Sequence, residues 1–187
     1  MKIKQLFIGA VLAFSFTAAT AQTAIPSGYT KGSIVLADGN TINGYVKDNM
    51  KKSASVSFID EANKAKTYNG IDINGATVNG NTYICLKGDF FRSISTGKLN
   101  FLQKASDASN VATYNGTEVM FNNGTAGKVG DYFVYSNKEL KLLNKKTVAA
   151  FIDNDLAGNT AAIEKAKSAN GDIAKLKEAV DIYNSTN

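Results

Sequence analysis

The stretch "DNDLAGNTAAIE", residues 153–164, comes nearest to a chemical site in its residue types and spacing. Asp153, Asp155 and Glu164 stand at the first, third and twelfth places of a loop whose sixth place is Gly158. A helix–loop–helix calcium site takes oxygen ligands at its first, third, fifth, seventh, ninth and twelfth places, with glycine at the sixth. Here the fifth place is Ala157, which has no side-chain oxygen, the ninth is Ala161, and the usually aliphatic eighth is Thr160. The sequence offers no second such loop to pair with it. A corner between two helices accounts for the same residues. The acidic pair ends one helix, Gly158 permits the turn, and Asn159 or Thr160 caps the next helix, whose early Glu164 meets the positive dipole end. The corner is the expected reading, and neither a metal nor a cofactor is expected.

Other chemistries are narrowed by what the chain contains. It has no histidine, which removes the usual general base, the Ser–His and Cys–His nucleophile pairs and imidazole metal sites. Hydrolysis by a carboxylate pair stays formally open, but the acids are thinly spread and show no recognisable partner spacing. Cys85 is the single cysteine, so no intramolecular disulfide can form. It lies in "TYICLKG" and reads as a small buried hydrophobe, because a reactive thiol needs exposure and a nearby cation. Tyr83, Phe90, Phe91, Tyr132, Phe133 and Tyr135 could line a groove for a glycan or a peptide. Against this, the chain lacks tryptophan, and alternating strand aromatics serve more often as core and cross-strand pairs. Asn115, Asn123 and Asn184 open Asn-x-Ser/Thr strings, which matter only in a eukaryotic secretory route.

The first residues place the chain in a compartment. Lys2 and Lys4 precede an apolar run from Leu6 to Phe16, and Ala19-Thr20-Ala21 supplies a small-x-small cleavage pattern. A permanent anchor needs about 20 apolar residues, so a secretory signal over residues 1–21, cleaved after Ala21, is expected. The mature chain would then not span a membrane, and the expected location is periplasmic or secreted. Removing Lys2 and Lys4 from the 21 basic residues leaves 19 against 16 acidic ones, a net charge of +3. The basic residues are scattered, whereas a nucleic-acid footprint needs them clustered, and no nucleic-acid partner is expected.

The elements that must position any site follow from periodicity. After a linker at 22–31, residues 32–143 alternate with period two. In "SASVSFI", Ala54, Val56 and Phe58 point one way and Ser53, Ser55 and Ser57 the other, as in a half-buried strand. Two strands flank Asp38-Gly39, which tolerates the positive φ of a tight hairpin. Further strands are predicted at 82–87, 90–95, 98–104, 117–122, 132–136 and 139–143. Seven Asn-Gly pairs, most between or beside these strands, carry the turn chemistry. The fold class is mainly β (α+β): an antiparallel meander forming a rolled sheet or small barrel. Two or three short helices follow over 144–187, packed on the sheet because they are too short to stand alone. Val148, Phe151 and Ile152 mark the first, and Ile173, Leu176, Val180 and Tyr183 form the stripe of the last, with Asp172 as its N-cap.

The succession "KGSIVLADGNTINGYV", "FFRSISTGKLNFL", "YFVYSNKELKLLNKKTVAAFIDND" and "IAKLKEAVDIYN" resembles uncharacterised exported proteins common in Bacteroidetes. The shared features are an early strand–turn–strand, a Gly-Lys-hydrophobic hairpin, an "LNKK" strand end, an acidic helix corner and a terminal helix closing on Tyr-Asn. Those proteins often carry Cys-Pro in the acidic corner, where this chain has Asn154-Asp155. The resemblance implies the architecture and the compartment; it implies no activity and carries over no functional residue. The expected role is that of an exported non-enzymatic protein, meeting an unknown protein or envelope component through binding or assembly contacts. The alternative is a small-ligand or glycan-binding module using the mouth of the rolled sheet.

Overall fold

A computed structural model describes residues 25–186, apart from residues 110, 115, 118, 122 and 123. The expected signal and the start of the linker lie outside the described residues. The period-two segments form strands. β1 (Thr30–Leu36) and β2 (Thr41–Asp48) make the first hairpin. Gly39 N–H donates to Leu36 O at 2.9 Å, and Gly39 supplies the positive φ, 88°. β1 begins two residues before the expected boundary, because Thr30 and Lys31 already pair with Val46 and Tyr45.

A one-turn helix, α1 (Met50–Ser53), precedes β3 (Ser55–Ile59), so Ser53 and Ala54 are not strand. Asp48 Oδ1 accepts the Met50 N–H at 2.8 Å, and Ala54 ends the turn in the left-handed region, which breaks the alternation there. Next come β4 (Ala65–Asn69), β5 (Ile73–Val78), β6 (Asn81–Leu86), β7 (Asp89–Ser95) and β8 (Asn100–Lys104). β9 (Ala112–Tyr114) and β10 (Val119–Phe121) pair with each other, and β11 (Tyr132–Ser136) and β12 (Glu139–Leu143) form the last hairpin.

The main sheet holds ten strands in the order β12-β11-β8-β7-β6-β5-β1-β2-β3-β4, all antiparallel. It is thus two meanders, β1–β4 and β5–β8, growing outward from a central β1–β5 pair. It is not closed, so the small-barrel alternative gives way to a rolled sheet. An isolated bridge, Gly70↔Gly88, joins the end of β4 to the β6–β7 turn. That contact requires strands β1 to β6 to curl.

Two glycines make the curl sterically possible. Gly32 and Gly44 face each other across β1 and β2. A Cβ on Gly32 would lie 2.1 Å from Thr77 O, and one on Gly44 2.3 Å from Ile59 O. Asn43-Gly44 and Asn74-Gly75 therefore sit within strands rather than in turns, whereas Asn79-Gly80, with φ of 51° and 74°, makes the β5–β6 turn. The concave side of the curl is filled by Ile34, Val46, Met50, Val56, Phe58, Ile73, Val78 and Phe90.

The C-terminal helices cover one face of the remaining strands. α2 (Val148–Ala150) runs into a π-turn (Phe151–Asp155), and α3 (Thr160–Ser168), a 3-10 turn (Ile173–Lys175) and α4 (Leu176–Ser185) follow. Phe151, Leu156, Ala162, Ala166, Leu176 and Val180 bury themselves against Leu99, Phe101, Val134 and Leu143. The predicted caps form: Asn159 Oδ1 accepts the Ala162 N–H at 3.0 Å, and Asp172 Oδ1 the Ala174 N–H at 3.1 Å. Asn184 fixes α4 to the β7–β8 connection, accepting the Leu99 N–H at 3.0 Å and donating to Leu99 O at 2.8 Å. Asn115 and Asn123, the other two Asn-x-Ser/Thr positions, lie outside the described residues.

Candidate functional site at the β12 edge

β11 and β12 are joined by Asn137 and Lys138, both at positive φ (49° and 66°), which is the two-residue hairpin whose twist matches its strands. The register Tyr135↔Leu140 and Phe133↔Leu142 sets these four side chains on one face; Lys141 and Leu143 fall on the other, beneath the helices. β12 is the last strand of the main sheet. On the face away from the helices, buried Phe91, Leu102 and Phe133 form a thin core. Half-buried Ile84, Leu86, Tyr135, Leu140 and Leu142 surround it. Phe91 and Phe133 meet edge to face at 5.2 Å.

A cavity of about 430 Å³ opens over that core, with Leu86, Phe133, Tyr135, Leu140 and Leu142 in its lining. Lys87 and Lys138 stand at its rim. Both are exposed, and neither has a hydrogen bond or ion pair with another described residue. The opposite wall comes from Gly124, Thr125 and Ala126 of the long β8–β11 connection. A second cavity, about 380 Å³, opens on the helix side of β12, between Leu142, Leu143, Thr147, Ala150 and Phe151. Of the six aromatics named from the sequence, Phe133 and Tyr135 line the first cavity. Phe90 and Phe91 are core, Tyr132 stacks on Phe101 at 5.3 Å, and Tyr83 lies beside a smaller cavity of about 240 Å³ with Arg92 and Gln103.

The wall of the first cavity is held by a buried ion pair. Lys104 Nζ lies 3.1 Å from Asp89 Oδ2, and both side chains are 0% exposed. Asp89 also accepts the Ala108 N–H at 2.6 Å, the Thr125 N–H at 2.7 Å and the Thr125 hydroxyl at 2.6 Å. Lys104 donates to Thr125 O at 2.7 Å and Gly127 O at 3.2 Å. Ser106 Oγ accepts the Phe90 N–H at 2.8 Å. A buried charge left unpaired would be very costly, and here both charges and their remaining hydrogen-bonding positions are engaged. The pair pins the β8–β11 connection to β7 and β8. Nothing in the sequence marked Asp89 or Lys104, since isolated charges in alternating strands read as solvent-facing.

The acidic corner is distributed rather than convergent. Asp155 pairs with Lys141 at 2.8 Å, and its hydrogen bond leads the causes that push the Lys141 ammonium up. Asp153 and Glu164 are exposed. Gly158 turns the chain at φ 83°. Among the described residues, no three of Cys, Asp and Glu gather closely enough to hold a metal ion. Cys85 is half-buried, and burial pushes its thiol up to about 12, so the thiolate is suppressed near neutral pH. A further hollow of about 420 Å³ lies against Thr41, Ile42 and Asn43 and the acidic turn Asp60-Glu61. No helix of the described residues is long and apolar enough to cross a membrane. No family model matches the chain, and no curated protein or solved structure matches it either.

Proposed function

We propose that this chain is an exported, non-enzymatic protein that acts by binding, and that the β12 end of its sheet is the binding surface. The observation that carries the reading is that two cavities open on opposite faces of one edge strand. Cavities of several hundred Å³ with apolar floors and polar groups at the rim suit ligands or side chains. The concave side of the curl is itself filled by core side chains. The absence of histidine and the protonated Cys85 thiol support a role without covalent chemistry.

Two measurements test this. Mass spectrometry of the chain purified from the cell envelope should give a mature N-terminus at Gln22. Thermal melts against panels of peptides, glycans and lipids should give a concentration-dependent rise in Tm, lost when Leu142→Arg places a charge in the first cavity. Intact residues 1–21 would sink the export reading. No rise in Tm with any panel, or a rise indifferent to Leu142→Arg, would sink the binding surface.

A further inference from the structure

We propose that β12 is a strand-capture edge, taking an extended segment of another protein as an eleventh strand. The captured segment carries apolar side chains at alternate positions and an acidic side chain facing Lys87 and Lys138. This rests on the binding role proposed above and names its partner class.

The backbone comes first. In a two-residue hairpin the residues flanking the turn, Ser136 and Glu139, exchange both hydrogen bonds, and the pattern alternates from there. Lys141 and Leu143 therefore bond to β11, while the N–H and C=O groups of Leu140 and Leu142 face outward. Leu142 O accepts the Thr147 hydroxyl at 2.7 Å. The Leu140 N–H and C=O and the Leu142 N–H have no partner among the described residues. Three adjacent unpaired main-chain groups on a sheet edge form a template for another strand.

The side chains supply selectivity. Successive residues of an added strand point to opposite faces, so they alternate between the cavity over Leu140 and Tyr135 and the cavity between Leu143 and Phe151. This is the mode in which main-chain bonds give affinity and alternate pockets give specificity. Charge distinguishes the faces. The first cavity has Lys87 and Lys138 at its rim, neither in an ion pair with a described residue; Glu139, which also lines it, lies 3.7 Å from Lys141 instead. On the second, Lys141 is already neutralised by Asp155. An acidic residue on the first face is thus complementary. The other edge of the sheet is built to refuse: β4 is mostly exposed, and its Lys66 ammonium lies 4.4 Å from the Tyr68 ring centroid.

The test is selection of random linear decapeptides displayed on phage against the full chain, followed by synthesis of an enriched peptide. The enriched sequences should alternate apolar residues and share an Asp or Glu. Binding should slow amide hydrogen exchange at Leu140 and Leu142 and leave Thr67, whose N–H faces outward from β4, unchanged. Leu140→Pro removes one outward N–H without touching the β11 ladder and should weaken binding about tenfold. Lys87→Glu with Lys138→Glu, distant from any backbone bond, should weaken the acidic peptide about tenfold and favour its Lys-substituted version. Enriched peptides without alternation, unchanged exchange at Leu140 and Leu142, or self-association protecting those amides without peptide would each overturn strand capture. A glycan or lipid that raises Tm while no peptide is captured overturns it too, but leaves the binding role standing; no response to any of them removes both.

Discussion

The curled strands β1–β6 and the outer strands β7, β8, β11 and β12 belong to one hydrogen-bonded sheet but bury their surfaces by different means. The curl closes on itself: its concave side is apolar, its strands approach across glycines, and the Gly70↔Gly88 bridge draws β4 against the β6–β7 turn. The outer strands have two faces to cover. Helices cover one, and on the other the β8–β11 connection is held down by a buried ion pair, leaving a cavity beside it. The first arrangement depends on the absence of side chains at a few positions; the second depends on particular charged atoms being present. The edges differ accordingly, with lysine-guarded β4 at one end and leucine-rich β12 at the other.

The largest effect should come from the ion pair. Lys104→Met keeps most of the side-chain volume but leaves Asp89 charged and unpaired, with an expected loss of about 3–5 kcal/mol in denaturant unfolding. A loss below about 1 kcal/mol would mean that water reaches Asp89 and that the outer strands do not depend on the pair. In the curl the corresponding blow is Gly44→Val, whose Cβ would meet Ile59 O and the Phe58 ring. Overpacking of this kind should cost about 2–3 kcal/mol by thermal melt; a neutral result would show that the strands can separate without penalty.

Cys85 belongs to the curl, packed against its core, and gives a pH test. Its thiol titrates near 12 when folded against a reference value of 9.0. Between those values the unfolded chain has released the proton and the folded chain still holds it, so stability falls as pH rises. The slope approaches about 1.4 kcal/mol per pH unit, and Cys85→Ala should flatten it. An unchanged slope would show that another group controls alkaline unfolding. The smallest effect lies at the helix corner: Asn159→Ala removes the cap of α3 and should cost about 1 kcal/mol. Asn159→Asp keeps the acceptor oxygen and removes an amide nitrogen that is buried without a partner among the described residues, so its melt should stay close to that of the unaltered chain.

Much of this frame was legible because it repeats a simple period. β11 and β12 fall on the predicted residues, and the apolar stripe of the last helix is buried at Leu176 and Val180 as its spacing required. β4 and β5 were not read as strands. "AKTYN" is mostly exposed and has no apolar face, and "INGATV" hides its alternation behind Asn74 and Gly75. Those glycines signal turns locally, and only the partner strand shows that they serve close approach. The site was less legible than the fold. Phe133 and Tyr135 were among the aromatics singled out, but Leu140 and Leu142 become a surface only because β12 ends the sheet, and strand order is not encoded in local pattern. The Asp89–Lys104 pair joins residues on neighbouring strands with a distant loop, and no spacing rule anticipates it.

The way Asp89 and Lys104 grip that loop has a practical corollary. Apart from the Ser106 and Thr125 hydroxyls, their partners in the connection are main-chain groups of Ala108, Thr125 and Gly127. Main-chain groups are common to every amino acid, so the clasp is largely indifferent to the identity of what it fastens. Residues 111–121, which carry the β9–β10 hairpin, can then be regarded as an interchangeable cassette between two fixed buckles. Foreign loops grafted there should leave the scaffold standing, and natural diversification of this protein would find its least constrained ground in the same place.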